Sequence, residues 1–344
     1  PQTIAALDAS DKPLILSLRI AVGKIGLTVA GLASGASIGR EGPSVHVGAS
    51  IMFALGRYVR FPPHYMERGL ILAGGAAGIA AAFNTPLAGI VFAIEEMSRS
   101  FEQRISGIVT TAVVFAGVTA IAVMGHYHYF GSSNASMPGL SLAWLAIPVC
   151  GILGGLLGGI FAQLLISSSR KIAPYAIAKP LLVALLVGVL VALINFISDY
   201  RASGTGYAEA QAIISQTGAF NPWFPLEKFA ATLASYLTGI PGGIFAPSLA
   251  TGAGIGANLG QWLPIAPLEV MIMLGMVAYF TGVVQSPLTA FIIVMEMTNN
   301  QGMILALMST AFIAKGTSHL VCPKPLYGAL AEAFISKSKQ NHLE

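Results

Sequence analysis

The side chains best able to do chemistry in this chain are carboxylates set among apolar residues, and Glu41 leads them. It sits in Gly39-Arg40-Glu41-Gly42-Pro43, the start of an eleven-residue phrase that recurs at Gly243-Ile244-Phe245-Ala246-Pro247. Both copies fit G-x3-P-S-x3-G-A. Pro43 and Pro247 suit the first turn of a helix, where a missing N–H costs nothing. The glycines before them let the backbone run extended and pack closely. Each phrase therefore predicts a helix N-terminus with unpaired amides, a natural anion site. In the second copy the candidate donors are the amides of Ile244 and Phe245, with apolar side chains to exclude water. A carboxylate at Glu41 would compete for the place an anion takes, and protonation would release it. One residue would then be both gate and proton acceptor. The bland alternatives are two simple helix-start turns and an internal Glu41–Arg40 ion pair.

A second pair of phrases follows each first one. Asn84-Thr85-Pro86-Leu87 leads to Glu95, and Gln285-Ser286-Pro287-Leu288 leads to Glu296, nine steps from proline to glutamate in both. Adjacent helical residues point about 100° apart, so Glu95 and Glu96 should do different work. Glu95 has a counterpart in Glu296, which suggests a structural role. Glu96 has Met297 at the matching position, which suggests a special one; the plain alternative is two interfacial carboxylates. Tyr327 follows the last apolar run. Its phenol can donate to an anion while its ring seals an apolar vestibule, or it can be an interfacial belt tyrosine. The histidines His46, His64, His126, His128, His319 and His342 lack metal-ligand spacing and read as structural or loop residues. Cys150 and Cys322 read as buried free thiols, with no redox or metal motif.

The elements that must position these residues are membrane helices. The chain of 344 residues is 55% hydrophobic and 9% charged, with mean hydropathy +0.75. Soluble domains carry roughly 25% charged residues. Residues 70–94, 105–169, 180–198, 229–268 and 270–295 hold no Asp, Glu, Lys or Arg. A spanning helix needs about 20 apolar residues, so these runs supply at least six full or partial crossings. The formal charge of +4 is spread over dispersed bases such as Arg57, Arg60, Arg170 and Lys171. These read as flanks of membrane segments, with no nucleic-acid partner implied. The 39 glycines and 19 prolines allow close helix packing and broken helices, which are tolerated where they line a cavity or lie buried in protein. Apolar helices are expected at 13–35, 43–56, 67–83, 86–98, 105–124, 141–168, 177–198, 225–238, 247–263, 268–284, 287–297 and 301–318.

Paired, interrupted apolar segments in two halves point to a transporter with its site where the broken helices meet. The expected division is a first repeat at 1–125, a linker at 126–140, a second repeat at 141–320 and a tail at 321–344. The first half has 42 residues before Pro43. The second has more than twice that between the linker and Pro247, so matching halves would require about 60 residues upstream of Pro1.

These motifs resemble those of the CLC chloride channels and chloride/proton antiporters. The resemblance rests on Gly39-Arg40-Glu41-Gly42-Pro43, Asn84-Thr85-Pro86-Leu87-Ala88-Gly89 through Glu95-Glu96-Met97, Gly243-Ile244-Phe245-Ala246-Pro247 and Pro325-Leu326-Tyr327, in order along nearly the whole chain. It implies an all-α integral membrane fold, an inverted-repeat bundle of tilted and broken helices. It implies a homodimer with one anion pathway per subunit in a bacterial cell (inner or plasma) membrane. Glu41 would be the gating glutamate, Glu96 the internal proton-transfer glutamate of antiporters, and the Ile244 and Phe245 amides with the Tyr327 hydroxyl the anion ligands. Pro43, where the fluoride-exporting branch has threonine, argues against that branch. The family's motif Gly-Ser-Gly-Ile-Pro, whose serine or proline accompanies chloride or nitrate preference, would end at Pro1. With 17 residues after Tyr327 in this sequence, the paired cytosolic nucleotide-binding domains of most eukaryotic members are not expected.

The expectation is secondary active transport of chloride, or a similar monovalent anion, against protons. It needs no enzyme chemistry, cofactor or metal, and bound chloride is the substrate. A passive chloride channel is the alternative on the same fold. An intramembrane hydrolase is a weak rival, since no Ser/His or HExxH arrangement occurs.

Overall fold

The computed structural model describes residues 1–8, 12–56, 63–98, 103–125, 128–139, 141–217 and 220–332. The described elements are helical: α1 Gln2–Asp8, α2 Lys12–Ile15, α3 Leu18–Ala33, α4 Glu41–Leu55, α5 Pro63–Phe83, α6 Pro86–Phe92, α7 Gln103–Met124, α8 Ala146–Ala178, α9 Pro180–Ile197, α10 Tyr207–Ile214, α11 Phe224–Leu237, α12 Phe245–Trp262, α13 Leu268–Val284, α14 Pro287–Met297 and α15 Ile304–Val321. Four stretches are long and apolar enough to cross a membrane: Gly107–Met124, Leu142–Ala178, Pro180–Ile197 and Ile304–Val321. Of the other helices, α12 and α13 lie almost wholly inside the protein. Every residue of α13 from Val270 to Val284 is buried, whereas only 11% of the α9 window is. Leu181, Leu185, Leu186, Val189 and Phe196 stand exposed on α9. A helix apolar all round belongs in a core or a membrane, and this chain contains both kinds.

The expected helix pattern is met with informative differences. The single helix read at 13–35 is interrupted before Ser17, whose hydroxyl accepts from the Ile20 amide at 3.3 Å and starts α3 afresh. The helix read at 141–168 runs on to Ala178 and carries Pro174 inside it. The helix read at 86–98 changes at Ala93 into a π-helical turn, Ala93–Ser98, that holds both Glu95 and Glu96. Such widened turns recur at functional sites. The short helices α1 and α10, and a helical turn at 326–332, lay below the reach of a periodicity argument. Most of the expected linker is described, and Tyr129 and Phe130 there are buried rather than loose.

The two copies of the first phrase meet. Gly39 and Gly243 exchange backbone hydrogen bonds, each amide donating to the other's carbonyl at 2.7 Å. α4 and α12 start within two residues of this contact, so their N-termini converge. Both helices then pack by backbone contact. A Cβ on Gly48 would lie 2.2 Å from the Gly74 carbonyl oxygen of α5, and one on Gly252 would lie 2.7 Å from that of Gly275 in α13. Gly48 and Gly252 occupy the same place in the repeated phrase.

Candidate functional site

Where α4 and α12 converge, the Glu41 carboxylate is folded inward and is 1% exposed. It fills the space left by two missing side chains. A Cβ on Gly39 would stand 2.0 Å from Glu41 Oε2, and one on Gly243 would stand 2.1 Å from it. The amides of Glu41 itself, Arg40 and Ala246 lie nearest. Neither carboxylate oxygen completes a hydrogen bond. The internal ion pair with Arg40 does not form. Arg40 donates from Nη2 to the Ala82 carbonyl at 2.8 Å, and its guanidinium lies 5.5 Å from the centroid of the Tyr129 ring.

Beside this carboxylate lies a cavity of about 290 Å³. Its wall includes Glu41, Gly42, Pro43, Phe245 and Tyr327, and Pro1 as well, so residues from the two ends of the chain share one space. Phe245 is the hub of an aromatic cluster. Its ring centroid lies 4.8 Å from Phe280, 5.8 Å from Phe92, 5.8 Å from Tyr327 and 6.4 Å from Phe83. Tyr327 is half-buried and within electrostatic reach of both Glu41 and Glu96. Pro247 is buried in the first turn of α12. Ile244 is buried as the residue capping α12 and does not line the cavity. The amide of α12 closest to the carboxylate is that of Ala246, one step beyond the expected pair.

Glu95 and Glu96 separate as their adjacency predicts. Glu95 reaches across to α14, where the Leu288 amide donates to Oε1 at 3.2 Å and the Thr289 amide to Oε2 at 2.7 Å. The Thr289 hydroxyl also donates to Oε2, at 2.8 Å. Glu296 reaches the opposite way to α6, accepting from the Leu87 amide at 3.1 Å and the Ala88 amide at 2.8 Å. Each carboxylate thus caps the helix that leads to the other, where N-terminal amides and the helix dipole favour negative charge. Glu96 takes no part in that exchange. It is 3% exposed and accepts a hydrogen bond from the Ser286 hydroxyl. Glu96 does not line the cavity, but its neighbour Met97 does.

Lys24 of the cavity wall escaped the sequence reading, and His46, read as a structural or loop residue, also lines the cavity. Lys24 of α3 donates from Nζ to His46 Nδ1 at 2.8 Å and also to Gln2. His46 is buried on the same face of α4 as Gly42. The signal was available in the helical spacing, since residues four apart share a face. Cys150 and Cys322 are buried free thiols, as expected.

A helical membrane bundle whose interrupted helices meet around a buried carboxylate is the architecture of a membrane transporter. The family described as voltage gated chloride channel matches residues 1–319, and the chain belongs to that family. It is 31% identical over 326 residues to the H(+)/Cl(-) exchange transporter ClcA of Yersinia pestis bv. Antiqua (strain Angola), covering 90% of this chain and 67% of that protein. Among solved structures, it is similar to a slow cyanobacterial Cl-/H+ antiporter, with TM-score 0.78 and 28% identity over 90% of this chain and 74% of the other. A CLC-type fluoride/proton antiporter gives TM-score 0.76 and 25% identity over 85% of this chain and 73% of the other.

Proposed function

We propose that this protein is a secondary active transporter exchanging chloride, or a similar monovalent anion, for protons across the bacterial cell membrane. The observation that carries the reading is the Glu41 carboxylate, buried between the N-termini of α4 and α12 with both oxygens short of full hydrogen bonds. An ionised carboxylate there uses the positive ends of two helices as an anion would. Protonation removes the charge that holds it, and the carboxyl leaves. An anion then enters, with the amides of Ile244 and Phe245 and the hydroxyl of Tyr327 as its ligands. When the anion departs, the carboxyl gives up its proton and returns. Glu41 thereby ties the movement of a proton to that of an anion.

A proton must also reach Glu41 from the other side of the membrane, and a site built of donors and positive dipole ends is a poor route for it. Glu96, a second buried carboxylate off the cavity, is the relay. It favours exchange over passive conduction, and so does the likeness to proton-coupled relatives. Pro43 favours chloride over fluoride. The meeting of Gly39 with Gly243 and the crossed caps of Glu95 and Glu296 support two inverted repeats, 1–125 and 141–320, about a pseudo-twofold axis. The exposed leucine face of α9 fits contact with lipid, and the protein works as a homodimer with one pathway per subunit.

The test is paired proton and chloride flux through the full-length protein in liposomes. Glu41→Gln, fixed in the neutral form, should end proton transport and leave anion flux. Proton-coupled flux that survives the substitution would overturn this role for Glu41.

A further inference from the structure

Serine and threonine at a helix N-cap normally accept a hydrogen bond from an amide of the first turn. Ser286 and Thr85 stand at the N-caps of α14 and α6, and neither side chain does so. The reason is the crossed pair of glutamates. Glu95 takes the first amides of α14, and Glu296 takes those of α6. Both hydroxyls are therefore released from capping. Their fates then differ. The Ser286 hydroxyl donates to Glu96 Oε2. Thr85 Oγ1, buried at the matching position, finds no hydrogen-bond partner. In the second half the place of Glu96 is taken by Met297, which offers no carboxylate to the matching hydroxyl.

We propose that Ser286 is a positioning residue for proton transfer, holding the Glu96 carboxylate in one orientation through both of its protonation states, and that Glu95 frees it for this by capping α14 instead. The inference rests on Glu96 being the internal proton-transfer group. A hydroxyl has one donor and two acceptor lone pairs. It donates to Glu96 Oε2 when the carboxylate is ionised. After rotation about Cβ–Oγ it accepts from the acid when Glu96 carries the proton. No heavy atom needs to move between the two states. A main-chain amide, which can only donate, holds the ionised form more strongly and cannot accept the acid's O–H. The amide-bound Glu95 and Glu296 thus suit a fixed charge, and the hydroxyl-bound Glu96 suits one that cycles.

The experiment compares wild type, Ser286→Ala, Ser286→Thr and Glu96→Gln as full-length proteins in liposomes, with proton and chloride flux measured together. Ser286→Ala should keep anion flux while protons moved per anion fall several-fold. Ser286→Thr, which keeps the hydroxyl and matches Thr85, should restore the ratio. In infrared difference spectra, the carboxyl stretch abolished by Glu96→Gln should move to higher frequency in Ser286→Ala, as that of a carboxylic acid whose O–H loses its acceptor does. A wild-type ratio and an unmoved band in Ser286→Ala, with proton flux lost in Glu96→Gln, would overturn the role of Ser286 and leave that of Glu96 standing. Intact proton flux in Glu96→Gln would remove both. Loss of both fluxes in Ser286→Ala and Ser286→Thr alike would mark a folding role and overturn the inference.

Discussion

Glu95 and Glu96 are consecutive, both are carboxylates, and their partners are unlike. Glu95 accepts three hydrogen bonds from Leu288 and Thr289 of α14, so its charge is part of the packing. Replacing it by Gln weakens charge-assisted bonds worth about 1.5–3 kcal/mol each in other proteins. Glu95→Gln should lower the midpoint of thermal unfolding in detergent while leaving the proton-to-anion ratio of the surviving protein unchanged. Glu96→Gln should do the reverse: near-native unfolding with proton flux lost and anion flux kept. A Glu96→Gln protein that still drives protons against a gradient would overturn the relay role of Glu96, whereas a wild type that moves no protons would return the reading to a passive channel. The glycines flanking Glu41 act at the same scale. Since a Cβ on Gly243 would fall 2.1 Å from Glu41 Oε2, Gly243→Ala should expel the carboxylate. Anion flux should then continue with fewer protons exchanged, as paired flux recordings would reveal.

At the scale of elements, the site depends on helices that touch through their backbones. α4 meets α5 at Gly48 and Gly74, with a Cβ on Gly48 only 2.2 Å from the Gly74 carbonyl oxygen. Overpacking of this kind costs typically 1–3 kcal/mol, and here the atom in the way is main chain, which cannot turn aside. Gly48→Ala should therefore destabilise by about that amount and tilt the N-terminus that faces Glu41, impairing both fluxes. Gly188 of α9 is the control, because nothing lies within 4 Å of a Cβ there. Gly188→Ala should be neutral or slightly stabilising, since alanine favours a helix interior over glycine by roughly 0.5–1 kcal/mol. Thermal unfolding of the two variants side by side checks the contrast.

For the whole molecule, the proposed arrangement is a pair of subunits, each with its own cavity and its own Glu41. The cavity wall described above comes from α1, α3, α4, α5, α6, α11 and α12 and nearby turns, all of one chain. A covalently linked pair of one wild-type subunit and one carrying Glu41→Gln should accordingly show half the proton flux of a wild-type pair. Proton flux abolished by a single substituted subunit would mean that the two pathways act as one.

The amino-acid sequence by itself determined the class of the molecule and singled out the carboxylates that the structure buries at the candidate site. Apolar runs without charge can be stable only in lipid or deep in protein, and a glutamate among them is too costly to be incidental. The repeated phrases exposed the pairing of Glu95 with Glu296 because a shared spacing survives in sequence when a shared role does. Tertiary structure alone decided which groups meet. Gly39 binds Gly243 across some two hundred residues, and Ala246 rather than Ile244 brings its amide nearest to Glu41. Ser286 turns to Glu96 only because Glu95 has taken its capping duty. Contacts of this kind depend on how α4, α12 and α14 cross. That crossing follows from glycine-to-backbone approaches between helices distant in the chain, and local helical periodicity carries no information about them.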